Sequence, residues 1–224
     1  MICIEKNYIF RKSLIYDSQS AAASSMIKHN AVILFSDRFR GHNYGPNHPL
    51  GIPRVALTLD LISSFARLDK YQLLEAKKAE KSELAGFHTP AYLDALNQCQ
   101  ENRKAGAKMR GRFNLGNFEN PFFEDMFDIP ATAAGASIQG AEQVIKGRMA
   151  FNPAGGMHHA VPDKARGFCY LNDAALAIRQ IKTHGWRVLY FDMDAHQGDG
   201  VQQAFDSDPD VLTVSFHMDT AYAY

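Results

Sequence analysis

A chain of 224 residues with only three cysteines, Cys3, Cys99 and Cys169, has no disulfide framework to build and no CxxC pair to bind a metal. The odd, scattered thiols fit a reducing compartment, so a cytoplasmic location is expected. An apolar run of about 18 residues is also missing, which leaves no candidate for a membrane-spanning helix. The N-terminal segment lacks the unbroken apolar core of a secretory signal. Net charge is absent too. With 24 Lys and Arg against 24 Asp and Glu, there is no global basic field to attract nucleic acid or an anionic membrane. What remains, 46% hydrophobic and 21% charged, is an ordinary globular composition with enough chain for one large domain. Partners must be argued from a local site.

Strand-like and helix-like stretches alternate along the chain. Residues 1–29 read equally as an extra strand or a flexible leader, and the domain proper runs over 30–224. Ala31 to Phe35 is a first buried strand, followed by a loop from Arg38 to Pro53 dense in Gly, His, Asn and Pro. Pro53 opens a helix carrying Val55, Leu59, Ile62 and Phe65 on its apolar face. Ser82 with Glu80 and Glu83 marks a second helix start, and Thr89-Pro90 a third, with Tyr92, Leu93 and Leu96 on one side. Glu101 to Gly116 reads as a charged surface excursion. Asp128-Ile129-Pro130 starts a helix of small residues through Ile145, and Met149 to Asn152 fits a short strand. Asn172 caps a helix ending near Gly185. A strand over 187–194, a short helix near Val201 to Phe205 and a last strand, Val211 to Phe216, complete the pattern. The alternation predicts an α/β layered fold with a mostly parallel sheet, whose site lies at the carboxyl ends of the strands.

The chemistry concentrates where the strand through Val188-Leu189-Tyr190-Phe191 runs straight into Asp192, Asp194, His196 and Asp199. Alternate residues of a strand share a face, so Asp192 and Asp194, with His196 if the chain stays extended, would project together. Carboxylates crowded at the end of an apolar strand repel one another and are costly to bury. A bound cation resolves both problems. Upstream, Gly155-Gly156-Met157-His158-His159 puts two adjacent histidines after a pair of glycines. With Asp194 and His196 assigned to a metal, Asp192 and Asp199 are left to orient those histidines, the pairing a general base needs. Gly167-Phe168-Cys169-Tyr170-Leu171-Asn172-Asp173 reads equally as the wall of an apolar slot or as a core-facing loop.

Gly155 to Ala160, Gly167 to Ala175 and Val188 to Gln202, in this order and near this spacing, resemble the zinc-dependent histone deacetylase family. The likeness extends to its bacterial relatives acting on acetylated amines or linked to acetoin use. Asn47-His48-Pro49, Phe87-His88-Thr89-Pro90-Ala91-Tyr92-Leu93, and Asn114-Leu115-Gly116 with Asn120-Pro121 are similar to its earlier motifs. The resemblance covers about Val32 to Phe216 and implies a three-layer arginase/deacetylase-like fold.

It further implies that Asp194 and His196 are two of three protein ligands of a catalytic zinc. His159, oriented by Asp199, would be the general base, and His158, oriented by Asp192, its electrostatic partner. Phe168 and the backbone at Gly156 would line an acyl-lysine tunnel, with Glu119 as a rim acid holding the substrate backbone. Backbone carbonyls of Asp192, Asp194, His196 and Phe216, with Ser215, would cradle a structural potassium ion. The implied reaction is hydrolysis of acetyl-lysine or a related acylated amine by metal-activated water.

The family's third zinc ligand, an aspartate, and its oxyanion-donating tyrosine stand downstream of the last strand. Asp219, Tyr222 and Tyr224 are too close to Ser215 to fill those roles. The expectation is therefore a domain unfinished at its C-terminal end, lacking later strands, with an open sheet edge that favours self-association. Two other functions stay open. One is an inactive fragment, or a module that binds acyl-lysine as a scaffold. The other is an arginase-like dimanganese ureohydrolase, which shares Asp194-Ala195-His196 but would place an acid two residues past the histidine, where this chain has Asp199 three past.

Overall fold

The computed structural model of the chain describes residues 2–5, 31–41, 44, 45, 48, 50–65, 72–219 and 221. Expectations placed on residues 6–29, on Asn47 and Pro49, and on Tyr222 and Tyr224 lie outside these. Apolar runs rich in Val, Ile, Leu and Phe form the strands. Ala31–Phe35 (β2) sits between Leu73–Glu75 (β3) and Met149–Phe151 (β4), parallel to both. Arg187–Asp192 (β5) pairs in parallel with Val211–Ser215 (β6), Asp192 opposite Ser215, and antiparallel with Ile2–Glu5 (β1).

The described strands thus form two three-stranded sheets, β3-β2-β4 and β1-β5-β6, rather than one continuous sheet. Parallel pairing dominates, and β1 is the antiparallel exception. A cleft of about 740 Å³ is lined by residues of both sheets and of the helices, among them Leu34, Ala150, Ala177, Tyr190, Asp192 and Asp194.

The helices follow from their start signals. Arg54–Phe65 (α1) begins just after Pro53. Glu80 and Glu83 make a reciprocal capping box on the single turn Lys81–Leu84 (α2). Thr89 caps Pro90–Glu101 (α3) through its side-chain oxygen, which accepts from the Tyr92 amide, and Pro90 sits in the first turn. Asp128–Ile145 (α5) buries a face of Ala131, Ala134, Gly135, Ala136 and Ile138. These small side chains let it pack against Asp173–Lys182 (α6), whose Leu176, Ile178 and Ile181 are buried. Each such Leu or Ile contributes about 1.5–3 kcal/mol of burial. At Gly135 a β-carbon would lie 2.0 Å from the Lys77 carbonyl oxygen, so only glycine lets α5 approach the segment after β3 so closely.

The structure adds one element and corrects two expectations. The charged surface excursion over 101–116, largely exposed, contains a helix that was not expected, Ala107–Phe113 (α4), anchored by buried Phe113 and ended by Asn114 in the left-handed region. Gly106 and Gly111 hide the helical period there. On α1 the packed residues are Ala56 and Leu59, whereas Leu57, Leu61 and Phe65 face solvent. Finally, β5 ends at Asp192, not at 194. The Asp194 amide donates to Asp192 Oδ1 at 3.0 Å and the His196 amide to Asp194 Oδ1 at 2.8 Å, two local side-chain turns that bend the chain out of the extended state.

Candidate active site

That bend separates the two carboxylates that strand alternation would have placed side by side. Asp192 turns into the protein and is buried. Its Oδ2 accepts from His158 Nδ1 at 2.7 Å and from the Tyr190 hydroxyl at 2.5 Å, while Oδ1 takes the Asp194 amide. Burial would raise this carboxyl's pKa, but the His158, Tyr190 and Asp194 hydrogen bonds outweigh it and hold the group far below the usual carboxylate range. Asp194 turns outward, 52% exposed in its side chain, with Oδ1 3.0 Å from His196 Nδ1 and 3.9 Å from His158 Nε2. The two expected metal donors are therefore in contact with each other, with Asp194 beside His158. Among the described residues no group of three or more His, Cys, Asp or Glu comes together as a metal site.

The histidine pair is built as two His–Asp couples on different elements. His158 uses Asp192 at the end of β5. His159 Nδ1 lies 2.6 Å from Oδ1 of Asp199, the first residue of Asp199–Phe205 (α7). A carboxylate only accepts, so each imidazole carries its proton on Nδ1 and presents Nε2 to the site. The rings are 4.1 Å apart between centroids, and His159 is 5.9 Å from His196. Their environments push them in opposite directions. Burial lowers His158, but the Asp192 hydrogen bond and the charges of Asp192, Asp194 and Asp199 prevail and raise it. For His159, burial, with charge from His158 and His196, outweighs Asp199, and its pKa falls. Arg166 Nη2 sits 2.7 Å from the other Asp199 oxygen and shares that carboxylate.

Close approach is what the glycines of α7 and of the 166–169 hairpin permit. A β-carbon on Gly200 would stand 2.5 Å from the His158 carbonyl oxygen, and one on Gly167 would stand 2.3 Å from His159 Cδ2. Phe168 adopts φ of 67°, a strained choice for a bulky residue. The bridge between Arg166 and Cys169 holds it, together with the Gly167 amide donating to Glu119 Oε1 at 2.6 Å. The His48 ring meets the Phe168 ring edge-on, centroids 4.5 Å apart. Glu119, expected as a rim acid, faces this hairpin, its second oxygen accepting from Asn114 Nδ2 at 2.8 Å. Buried Cys169 is pushed up to about 12 by burial, and its thiol stays protonated.

Two residues of the third motif do more than their sequence suggested. At the start of α6, Asp173 accepts from the Gly156 amide at 3.0 Å, the Met157 amide at 2.7 Å and the Ser137 hydroxyl at 2.5 Å. Next to it, Asn172 accepts from the Ala175 amide as a helix cap, and its Nδ2 donates to the His158 and Ala160 carbonyls at 3.4 and 2.9 Å. One helix terminus thus holds the histidine loop by its amides and by its carbonyls. Asn172 was legible as a cap, but no local pattern reveals which loop its neighbour Asp173 faces. Behind them, His88 Nε2 accepts from the Asn172 amide at 3.0 Å, which requires a neutral ring. Burial lowers His88 to about 4, against the Pro162 and Val161 carbonyls.

His88 therefore links stability to pH. Unfolded, it binds a proton below its ordinary 6.5; folded, only below about 4. Its stabilisation is complete above pH 6.5 and is lost as pH falls toward 4, about 3 kcal/mol over that window. Urea unfolding at pH 7, 6, 5 and 4 should show this slope, flattened in His88→Gln. An equal slope in both proteins would contradict it.

Two imidazole–carboxylate couples, with a further carboxylate and imidazole at the carboxyl end of a buried strand, form an arrangement whose groups can accept and donate protons. The histone deacetylase domain matches residues 48–224. Histone deacetylase 9 of Arabidopsis thaliana is 40% identical over 177 residues, 78% of this chain and 41% of that protein. Histone deacetylase RPD3 of Saccharomyces cerevisiae is 37% identical over the same shares. Among solved structures, an HDAC homolog complexed with SAHA superposes with a TM-score of 0.83 and one from Aquifex aeolicus with 0.82. Both are 38% identical and cover 86% of this chain and 52% of theirs. The chain belongs to the histone deacetylase family. It spans about two fifths of the length of the curated relatives and about half of the solved ones.

Proposed function

We propose that this chain carries the proton-transfer half of a zinc-dependent deacetylase site, which hydrolyses the amide of acetyl-lysine or a related acylated amine. One observation carries the reading: His158 and His159 stand 4.1 Å apart, each backed by its own carboxylate, with pKa values driven apart. Environments that split a pair of titratable groups in this way assign a more readily protonated partner and a neutral base. His159, kept neutral, accepts a proton from water at Nε2, and the hydroxyl adds to the amide carbonyl. His159 then returns the proton to the amine as the C–N bond breaks. His158, whose pKa is raised despite burial by Asp192, is the partner suited to take up a proton at Nε2 and stabilise the charge that develops on the carbonyl oxygen.

Asp194 and His196 would hold the zinc, a donor set of oxygen and nitrogen that suits it. When bound, the metal polarises the carbonyl and acidifies the water. Backbone carbonyls at Asp192, Asp194, His196 and Phe216, with Ser215, would hold a potassium ion where the Phe216 amide already ties to the Asp192 carbonyl at 2.9 Å. Phe168 and Gly156 would flank the acyl chain.

The test is metal content by mass spectrometry with turnover of a fluorogenic acetyl-lysine peptide in the same sample. One zinc per chain with chelator-sensitive turnover would support a site completed by a donor beyond Asp194 and His196, and zinc affinity should then fall at least about a hundredfold in Asp194→Ala. No zinc and no turnover would instead favour an inactive fragment, or a module that binds acyl-lysine without hydrolysing it.

A further inference from the structure

Between Arg103 and Arg112 the chain carries five cations, Arg103, Lys104, Lys108, Arg110 and Arg112, and no carboxylate, although its overall charge is zero. All five are exposed. Among the described residues only Arg103 has an ion-pair partner, Glu124 at 2.7 Å. Arg110 donates to the Ala105 carbonyl, and Arg112 lies over the Phe113 ring. The others project into solvent from α4 and the turn before it.

This strip is joined directly to the wall of the candidate site. Asn114, which ends α4, donates through Nδ2 to Glu119 and to the Ala165 carbonyl at 2.9 Å, and the Ala165 amide donates to the Phe113 carbonyl at 3.1 Å. Ala165 lies three residues before Phe168. The single acid of loop 114–120, Glu119, is spent on Gly167 and Asn114. In the hairpin, Asp163 offsets Lys164 in charge and Arg166 is paired with Asp199 at 2.7 Å, so the unpaired positive charge on this side comes from α4 and the turn before it. The side of the mouth that α4 borders is therefore basic.

We propose that this strip selects acyl-lysines set in acidic segments, with aspartate or glutamate a few residues from the lysine, and disfavours lysine-rich ones. The proposal rests on the deacetylase reading for the acyl-lysine and on charge complementarity for its neighbours. An extended peptide advances about 3.3 Å per residue, so side chains a few positions from a lysine at Phe168 come alongside α4. Exposed charge pairs are individually weak and screened by salt. Three or four acting together yield about a tenfold preference at low ionic strength.

Fluorescence anisotropy on the chain as it is tests this without requiring turnover. The probes are acetyl-lysine peptides flanked by glutamates or by lysines, and the unacetylated acidic peptide. The expected result is about tenfold tighter binding of the acidic acetylated peptide than of the basic one, lost at 0.5 M salt (a Debye length of roughly 4 Å) and in K108E/R110E/R112E. K104E/K108E, which spares the two arginines with local contacts, should lose part of it, and circular dichroism checks that both variants fold. Equal affinity for acidic and basic peptides, or a preference that survives both variants, would overturn the proposal. So would a DNA oligonucleotide that outcompetes the acidic peptide, marking the strip as a nucleic-acid surface. If acetylated and unacetylated acidic peptides bind alike while the charge preference holds, the strip stands and the acyl-lysine reading of the mouth fails.

Discussion

Replacing Asp173 with alanine is expected to destabilise the chain by about 2–3 kcal/mol and to release the loop that carries both histidines. The carboxylate is 3% exposed and is the acceptor for the Gly156 and Met157 amides and the Ser137 hydroxyl. Alanine leaves these part-buried donors without their acceptor. Each costs about 1–3 kcal/mol if it finds no other partner, and least at exposed Gly156, which water can reach. The sum is reduced by the desolvation that the buried carboxylate no longer suffers, the same burial that raises its pKa against those hydrogen bonds. Asparagine should fall between the two, since one oxygen can still serve the amides while its NH2 confronts donors. Urea unfolding measures the loss, and imidazole NMR signals of His158 and His159 report the loop. A loss below about 1 kcal/mol, or unchanged histidine signals, would mean that Asn172 holds the loop alone.

The contrast between Asp173 and Asp192 shows what a sequence can disclose. Asp192, Asp194, His196 and Asp199 lie within eight residues, and His158 and His159 are adjacent, so their chemistry announces itself locally. Both His–Asp couples anticipated for them are present in the structure. The role of Asp173 depends on which loop its helix terminus faces, a tertiary fact with no local signature. Thr89 and Asn172 were readable as caps because capping is a contact between near neighbours. The division into two sheets was not readable, because strand pairing joins residues far apart in the chain. Glu119 illustrates the same limit: the family resemblance implied a rim acid, and only the fold reveals that it braces Gly167.

The two histidines, identical in type and adjacent in sequence, should separate when each is replaced by alanine. His159 sits on a partly exposed surface, and its partner Asp199 keeps Arg166 at 2.7 Å, so His159→Ala leaves no uncompensated charge. Under the deacetylase reading it removes the proton acceptor and lowers turnover about 10³-fold, with stability changed by less than about 1 kcal/mol. His158 and Asp192 form a couple with side chains 7% and 6% exposed. His158→Ala strands the Asp192 carboxylate with only the Tyr190 hydroxyl and the Asp194 amide as donors. Breaking a buried charged pair from one side costs about 3–5 kcal/mol, so this variant should lose stability as well as turnover. His158→Ala with Asp192→Asn should regain part of the stability and none of the turnover, because it removes the stranded charge without restoring the imidazole. Urea unfolding and peptide hydrolysis on the same preparations give both readouts. Equal stability losses in the two single variants would show that burial does not distinguish the couples, and the division into a structural His158 and a catalytic His159 would fall with it.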